Sequence, residues 1–331
     1  MKYTYASAGV NISQSEKFVN SIKPLVKSTF SKGVLSGIGN FGAFYTISKT
    51  YKNPVFVAST DSVGTKVKIA CELGKFDTVG EDIVNHCVND IAVCGAKPLF
   101  FLDYLAFGRL RSNIAVEIVK GIVRGCKKNG CSLIGGETAE MPDLYNKDDF
   151  DLAGTIVGVA ERTKIIDKKN VRYGDVLIGF PSTGLHTNGF SLARKVLLKK
   201  YKLSSYILEF NNTLGSELLK VHKSYLNVIK ILTKKYKIHS FSHITGGGII
   251  GNTKRVVPAG LKINIDWNMW KWPAIFKLIQ KEGNISDIEM RNVFNLGIGL
   301  IAIVNKKDVF NITSYLKRNN YKHFIIGNLT K

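Results

Sequence analysis

The chain has 331 residues, of which 45% are hydrophobic, and it carries a formal net charge of +22. This length suits two domains with a substantial core and argues against a disordered protein. The longest apolar stretch, near Leu296–Val304, is too short to cross a membrane, and the N-terminus lacks the apolar region of a signal peptide. We therefore expect a soluble, cytoplasmic protein with no membrane partner.

The excess of positive charge raises the question of nucleic-acid binding. The lysines are spread over many predicted helices, and asparagine and isoleucine are abundant beside them. Because A+T-rich coding produces this combination, we favour drift in composition and expect no nucleic-acid partner. A basic nucleic-acid-binding protein stays the alternative from another functional class. The five cysteines form no CxxC pair and predict neither disulfides nor a zinc site.

The first predicted elements are an amphipathic helix over Ser15–Phe30 and a glycine-rich loop over Ser36–Gly42. The loop matches GxGxxG, but a dinucleotide-binding turn must follow a strand and open a helix. Here polar residues precede the loop, and Ala43–Ser48, which we predict to be a strand, follows it. The loop glycines can bring backbone amides close to a phosphate group, but they do not indicate a dinucleotide site.

A short strand is predicted over Val55–Ala58, because the run is apolar and contains β-branched residues. The polar segment Thr60–Lys66 follows it and contains Asp61, three hydroxyl groups and a lysine. Carboxylates and hydroxyls are hard oxygen ligands for Mg²⁺, and lysine neutralises phosphate charge. The segment therefore predicts a site for metal-bound phosphate, although a plain surface turn has the same composition.

A helix is predicted over Thr78–Gly95, where apolar pairs recur with a helical period. The opposite face of this helix carries Asp82, His86, Asn89 and Asp90. We interpret Asp82 as a solvent-exposed residue. For Asn89 and Asp90 two interpretations stay open, a solvated helix face or a second carboxylate that completes an Mg²⁺ site with Asp61.

The remaining pattern alternates strands and helices, which indicates an α/β (mixed α+β) fold with its site along one rim of a sheet. Further strands are predicted over Pro98–Ala106, Cys131–Ile134, Leu152–Ala160, Val176–Phe180, Lys262–Ile265, Leu296–Val304 and His323–Ile326, and helices over Ile114–Asn129, Phe190–Lys199, Pro273–Lys281 and Lys307–Arg318. Glu137 follows two glycines as a third candidate carboxylate, and glycine loops follow at Pro181–Gly189 and His243–Gly248. A charged stretch over Arg162–Tyr173 predicts a domain boundary.

No P-loop, GxSxG elbow, HExxH or kinase motif is present in the sequence. Five segments instead carry a resemblance: TDSVGTK, VNDIAVCGAKPLFFLDYLA, GGETAEMP, STGLHTNGFS and HITGGGIIGN, in this order. With these segments the chain resembles the phosphoribosylformylglycinamidine cyclo-ligases of purine biosynthesis, from Ala6–Ile12 to Phe294–Leu300. The wider superfamily, which includes selenophosphate synthetase and thiamine-monophosphate kinase, shares the general pattern of these motifs but not their particular residues.

The resemblance implies an ATP-dependent cyclo-ligase that converts formylglycinamidine ribonucleotide to 5-aminoimidazole ribonucleotide, ADP and phosphate. ATP and Mg²⁺ are the implied cofactors, with K⁺ as a further candidate. The implied architecture is an ATP/Mg-binding and dimerisation domain over residues 1–165 and a substrate-binding domain over 170–331. In a homodimer of this kind, the N-terminal sheets pair into a barrel-like core. Another ATP-using kinase or synthetase of the superfamily is the alternative within the class.

The resemblance also implies roles for individual residues. Asp61, Asp90 and Glu137 would hold Mg²⁺, and Asn89 would complete or orient the shell. The implied nucleotide-binding residues are Gly37, Gly39 and Gly42 of the flexible loop, with Lys23 and Lys66 near phosphate. The implied substrate-binding residues are Ser182, His186, Asn188, Thr245, Gly246, Gly247 and Gly248, and those with catalytic roles are Asp61, Lys66, Asp90 and His186.

Two positions depart from the pattern of the family. Ser62 stands where the family usually has glycine, and we expect this small residue to do little harm. Val221-His222-Lys223 replaces the usual Pro-Thr-Arg ahead of Tyr225. Lys223 keeps the positive charge of arginine but loses its bidentate geometry, so we expect weaker substrate affinity if this position contacts the ligand.

Overall fold

The structure is a computed structural model that describes residues 12–331. The chain divides into two compact units, one up to Ile91 with Lys97–Glu161 and one formed by Ala92–Ala96 with Arg162–Lys331. Of the segment Ala6–Ile12, all but the last residue lies outside the described residues. None of the helices formed by residues 12–331 is long and apolar enough to cross a membrane.

The first unit is built on a four-stranded sheet. In chain order it contains α1 (Ile12–Lys27), β1 (Pro54–Ser62), α2 (Lys66–Leu73), α3 (Asp77–Ala92), β2 (Lys97–Phe107), α4 (Ser112–Asn129), β3 (Ser132–Glu140) and β4 (Phe150–Glu161). The strand order is β1-β4-β2-β3, in which β2 and β3 are parallel and the other pairs antiparallel. Exposure alternates along β1, as expected for a strand with one covered face.

Helix α3 is buried on all sides over most of its length. Every residue from Val79 to Asn89 is buried, including polar Asp82, Asn85, His86 and Asn89. The prediction of a solvent-exposed Asp82 is therefore wrong. The apolar period correctly marked one face of this helix, but the polar face is covered as well because it contacts other groups of the same unit.

Two glycines let α3 and α4 approach each other closely. A Cβ atom added at Gly80 would lie 2.1 Å from the carbonyl oxygen of Ile118, and one added at Gly121 would lie 1.9 Å from that of Asp77. Either distance is far inside a van der Waals contact. Glycine is therefore required at both positions for this backbone-to-backbone packing.

The second unit contains a five-stranded antiparallel sheet of order β8-β10-β5-β11-β9 and a two-stranded sheet, β6-β7. Its elements in chain order are β5 (Val176–Pro181), α5 (Phe190–Leu197), β6 (Tyr206–Ile207), β7 (Asn212–Thr213), α6 (Leu214–Leu218), α7 (Leu226–Lys235), β8 (Ile238–His243), α8 (Gly248–Lys254), β9 (Lys262–Ile265), α9 (Ala274–Gly283), α10 (Asp287–Val293), β10 (Ile298–Val304), α11 (Val309–Arg318) and β11 (Phe324–Thr330). Strand β10 is buried at every position, in keeping with its continuous apolar sequence.

The mixed α/β class is confirmed, but three local predictions are wrong. Ala43–Ser48 forms no strand; Tyr45 makes a single bridge to Val34. Strand β1 does not stop at Ala58 but continues through Asp61 to Ser62, and β3 continues past the two glycines to Glu140. Polar residues that we predicted to lie in loops therefore belong to strands, because pairing with β4 and β2 extends the strands beyond their apolar runs.

Candidate active site

Asp61 of β1 and Asp90 of α3 lie close together in the first unit. Asp61 Oδ2 lies 2.9 Å from Nε2 of His86, which is one helical turn before Asp90. The Ser59 hydroxyl, two residues before Asp61 on the same strand, donates a hydrogen bond of 2.9 Å to Asp90 Oδ2. His86 and Asp90 are four residues apart and therefore lie on one face of α3. Ser59 and Asp61 are two residues apart and therefore lie on one face of β1, so these two faces meet at the carboxylates.

The ionised form of Asp61 is stabilised by several neighbouring groups. Burial and the nearby charge of Asp90 act to raise the pKa of Asp61. The hydrogen bond from His86, the charge of His86 and the hydrogen bond from the Ser62 amide outweigh these effects, so the pKa of Asp61 is lowered. The neighbouring Cys87 thiol has a pKa raised well above its usual value, chiefly by burial and then by the charges of Asp61 and Asp90. Asp61 is therefore an ionised carboxylate at neutral pH, and Cys87 is an inert thiol.

The chemical types of these donors suit Mg²⁺. Two carboxylates near enough for their charges to interact, with the Ser59 hydroxyl beside them, are the oxygen ligands that Mg²⁺ prefers. Asn89 is fully buried in the same turn of α3. His86 orients Asp61 through its hydrogen bond, as residues outside a metal's direct ligands commonly do.

Glu137 does not lie beside these carboxylates within one chain, and its place in the metal shell stays a prediction. Asp61 lies on β1, Glu137 on β3, and the strands β4 and β2 separate them. Three strand spacings of roughly 4.8 Å place the two backbones about 14 Å apart. Glu137 is also exposed. It is in register with Tyr104, Ala153 and Ser62 on the neighbouring strands, and this row lies on the sheet face opposite to Asp61.

Glu137 instead borders a cavity of about 190 Å³ between α1, the glycine loop and β3. Val19 and Ile22 of α1, Ile38 of the glycine loop and Asp103 of β2 also line it. Lys23 of α1 is exposed, and its ammonium group donates to Asn20 Oδ1 at 2.8 Å. The glycines of the loop, Gly37, Gly39 and Gly42, are exposed and have open space around them.

Lys66 has a different environment from the one predicted. Its side chain and that of Asp82 are 0% exposed, and Lys66 Nζ lies 2.7 Å from Asp82 Oδ2. Burial lowers the pKa of Lys66, while the charge and hydrogen bond of Asp82 act in the opposite direction. In this structure the lysine is therefore part of a buried ion pair and does not present its charge to a phosphate.

The second unit brings the two predicted substrate loops together. An added Cβ atom at Gly246 would lie 3.2 Å from Asn188 Oδ1, so loops 181–189 and 243–248 are neighbours. His186 is 1% exposed, with a φ of 63° that is unusual for a residue with a side chain. The Thr183 amide donates to His186 Nε2 at 3.2 Å, which leaves this nitrogen without a proton.

The other loop residues are held by internal hydrogen bonds. Ser182 Oγ lies 3.0 Å from both the Gly184 carbonyl and Asn295 Oδ1. Asn252 Nδ2 donates to the carbonyl groups of Thr245, Gly246 and Gly248 at 3.2, 3.1 and 2.8 Å. Gly247 has a φ of 92°, which favours glycine. The loop shapes are therefore set before any ligand binds.

Sequence analysis missed three residues that the structure places at these sites. His86 was noted on the polar helix face, and its spacing of four from Asp90 was the available signal. Asp103 was hidden inside an apolar strand, and nothing in the sequence linked it to a cavity. His222 was treated only as a departure from a family pattern, yet its side chain stacks on His186 with ring centroids 4.0 Å apart.

Comparisons with known proteins show the family of the chain. The N-terminal domain of AIR synthase related proteins matches residues 42–160, and their C-terminal domain matches residues 172–331. The chain is 49% identical to the phosphoribosylformylglycinamidine cyclo-ligase of Thermodesulfovibrio yellowstonii, over 100% of this chain and 97% of the relative. The chain belongs to the AIR synthase family.

The fold of this AIR synthase family member is shared more widely. Thiamine-monophosphate kinase from Stenotrophomonas maltophilia superposes with a TM-score of 0.68 at 14% identity, covering 95% of this chain and 93% of that one. Hydrogenase maturation protein HypE in complex with ATP gives 0.69 at 16% identity, covering 96% and 86%. At these identities the likeness shows the fold alone. The family assignment depends on the sequence matches.

Proposed function

We propose that this protein catalyses the ATP-dependent cyclisation of formylglycinamidine ribonucleotide to 5-aminoimidazole ribonucleotide, with release of ADP and phosphate. The observation that carries the proposal is the 49% identity, over the whole chain, to a relative named phosphoribosylformylglycinamidine cyclo-ligase. In the proposed reaction the formyl oxygen receives the γ-phosphoryl group of ATP, an amidine nitrogen attacks the activated carbon, and phosphate leaves.

The carboxylates of the first unit support a role in phosphoryl transfer. This reaction needs positioning and charge neutralisation more than covalent help from the protein. Asp61 and Asp90 would hold Mg²⁺, with Asn89 beside them, and His86 would keep Asp61 oriented. When bound there, Mg²⁺ would neutralise charge on the triphosphate.

The remaining roles follow the division into two units. We assign ATP to the first unit, where the glycine loop and Glu137 border the cavity and Lys23 is exposed on α1. We assign the ribonucleotide to the second unit, where loops 181–189 and 243–248 meet. His186 would act at the formyl group, Ser182 and Asn188 would line that side, and the loop from Thr245 to Gly248 would bind the ribose phosphate. K⁺ stays a further candidate cofactor, and the cytoplasm the proposed location.

We further propose that the protein acts as a homodimer through the sheet of the first unit. The sheet face that carries Phe56 and Tyr104 leaves these side chains 61% and 36% exposed. Leu102 and Val157 lie on the same face and are partly exposed. Apolar residues on an accessible sheet face are typical of a face that pairs with a second copy.

The direct test measures ADP release by the purified protein with Mg²⁺-ATP, with and without formylglycinamidine ribonucleotide, and follows the imidazole product. Substrate-dependent ADP should match imidazole one to one. ADP release without imidazole, or turnover of thiamine phosphate in place of this substrate, would instead favour another superfamily activity.

Substituting Asp61→Asn tests the carboxylate site. Turnover should fall on the order of 10²-fold, because Mg²⁺ loses a charged ligand while the side chain keeps its size. The matched control is Asp148→Asn, which changes a carboxylate of the same unit that is 78% exposed. Near-normal turnover of the Asp61 variant would remove this residue from the metal site.

A further inference from the structure

His222 occupies an unusual position for a residue between helices. It lies in the segment between α6 and α7, yet its side chain is 0% exposed. Connecting segments usually run over the surface, since their polar groups need partners. A histidine fully buried in such a segment is therefore held there by specific contacts.

Those contacts join the two substrate loops of the second unit. On one side the imidazole of His222 stacks on His186 of loop 181–189, with centroids 4.0 Å apart and ring planes at 22°. On the other side His222 Nε2 lies 3.1 Å from Nε2 of His243, which begins loop 243–248. The second ring nitrogen, Nδ1, lies 3.3 Å from the hydroxyl of Thr187.

The hydrogen bond between the two histidines couples their tautomers. When both imidazoles are neutral, one Nε2 atom must carry the proton and the other must accept it. If His222 donates to His243, its Nδ1 accepts from Thr187; if His222 accepts, its Nδ1 donates to Thr187. Thr187, His222 and His243 therefore form one chain of hydrogen bonds across both loops.

His186 is confined from the other side by the sheet. An added Cβ atom at Gly299 of β10 would lie 2.7 Å from His186 Cε1 and 2.1 Å from the Tyr225 hydroxyl. Gly299 makes room for the imidazole of His186, and the stacked ring of His222 also contacts that imidazole. The plane of the His186 ring is thus set by its surroundings before substrate binds.

We propose that His222 is a positioning residue for the cyclisation reaction, which orients His186 by stacking and His243 by hydrogen bonding without touching the substrate. The inference rests on the proposed function of His186 and of the glycine loop.

Two substitutions separate the contributions of His222. His222→Phe keeps a ring against His186 but removes the hydrogen bonds. It should raise the KM for formylglycinamidine ribonucleotide by about tenfold, the effect expected from loss of the hydrogen bond that orients His243, with kcat almost unchanged. His222→Gln keeps a polar group near His243 but removes the stacked ring. It should lower kcat on the order of tenfold or more through misplacement of His186, with KM almost unchanged.

The control is His239→Phe, which removes another buried histidine of the same unit that lies 2.7 Å from Asp175. This variant should lose thermal stability, while the folded fraction keeps the wild-type KM and kcat. If both His222 variants behave like the control, or if their kinetics match the wild type, His222 is a structural residue and the proposal is overturned.

Nuclear magnetic resonance of ¹⁵N-labelled histidines gives a readout that needs no turnover. In the wild-type protein the His222 and His243 resonances should each show one dominant tautomer. His222→Phe should shift the Nε2 resonance of His243 from its wild-type position, while His186 keeps its tautomer. An unchanged His243 spectrum would contradict the coupling. If instead the wild-type protein makes no imidazole product but shows these spectra, the proposed function fails, while the hydrogen-bond coupling of His222 to His243 stands.

Discussion

The buried ion pair between Lys66 and Asp82 illustrates how much a single residue depends on its partner. Both side chains are 0% exposed, and their charged atoms are 2.7 Å apart. Removing two charges from water is costly, and their attraction offsets the cost only while both are present. The pair fixes the start of α2 against α3, the helix that carries His86 and Asp90.

Replacing one partner should therefore destabilise the protein more than replacing both. We expect Lys66→Met to lower the free energy of unfolding by about 3–5 kcal/mol, because it leaves Asp82 buried without its cation. The double variant Lys66→Met/Asp82→Leu should regain most of the lost free energy of unfolding, measured by urea unfolding. Its turnover should recover as well. A double variant that is stable but inactive would restore the original prediction that Lys66 acts on phosphate.

Asp103 should make the stability of the protein depend on pH. Burial, aided by the charge of Glu137, raises the pKa of Asp103 to about 7. Because the folded state binds this proton more tightly than the unfolded chain does, the resulting stability is complete below about pH 4 and is lost as the pH rises through 7. Asparagine at this position stays neutral and avoids that loss.

The corresponding measurement compares Asp103→Asn with the wild type by urea unfolding at pH 5 and pH 8. The difference in free energy of unfolding, variant minus wild type, should be larger at pH 8 than at pH 5. The change in this difference should be on the order of a few kcal/mol. Asp148→Asn, at an exposed carboxylate, serves as the control and should show no such change. An equal difference between Asp103→Asn and wild type at both pH values would mean that Asp103 ionises normally.

At the scale of elements, the contact between α3 and α4 is highly sensitive to side-chain size. A Cβ atom at Gly121 would lie 1.9 Å from a backbone oxygen of α3. Glu81 of α3 strengthens the same contact: burial acts to raise its pKa, but hydrogen bonds from Arg124 and Lys128 of α4 outweigh this and lower it. The two helices are thus joined by close packing and by charge.

We expect Gly121→Ala to lower the free energy of unfolding by about 1–3 kcal/mol or more, since the helices must move apart. The matched control is Gly251→Ala in α8, where an added Cβ atom meets nothing within 4 Å. This control should stabilise the protein by about 0.5–1 kcal/mol through helix propensity. Equal effects of the two substitutions in thermal unfolding would show that α3 and α4 are packed less closely than described.

The fold was predicted well where periodicity alone determines an element. The long helix α4 and the apolar strands β2, β4 and β10 followed directly from their patterns. Predictions failed where tertiary contacts decide: Asp61 lies in a strand because β4 pairs with it, and Asp82 is buried because Lys66 reaches it. The candidate site was predicted in part, since Asp61 and Asp90 lie near enough for their charges to interact. The separation of Glu137 from them could not be predicted, because it depends on strand order.

The whole molecule offers an explanation for the position of Glu137. Within one chain it lies about 14 Å from Asp61, across three strand spacings. Both residues belong to edge strands of one sheet, since β1 and β3 end the order β1-β4-β2-β3. If two such sheets pair face to face in a dimer, an edge of one lies beside an edge of the other. Glu137 would then serve the metal and nucleotide site of the partner.

Mixing two inactive variants tests this arrangement. Asp61→Asn and Glu137→Gln should each lower turnover strongly in the pure state. After unfolding and refolding together, random pairing makes half of the dimers mixed, and each mixed dimer has one site with both residues intact. Turnover should therefore recover to about a quarter of the wild-type value, because the twofold axis separates the two sites. Sedimentation of each variant verifies dimerisation. Mixed dimers without recovered turnover would place Asp61 and Glu137 in independent roles within each chain.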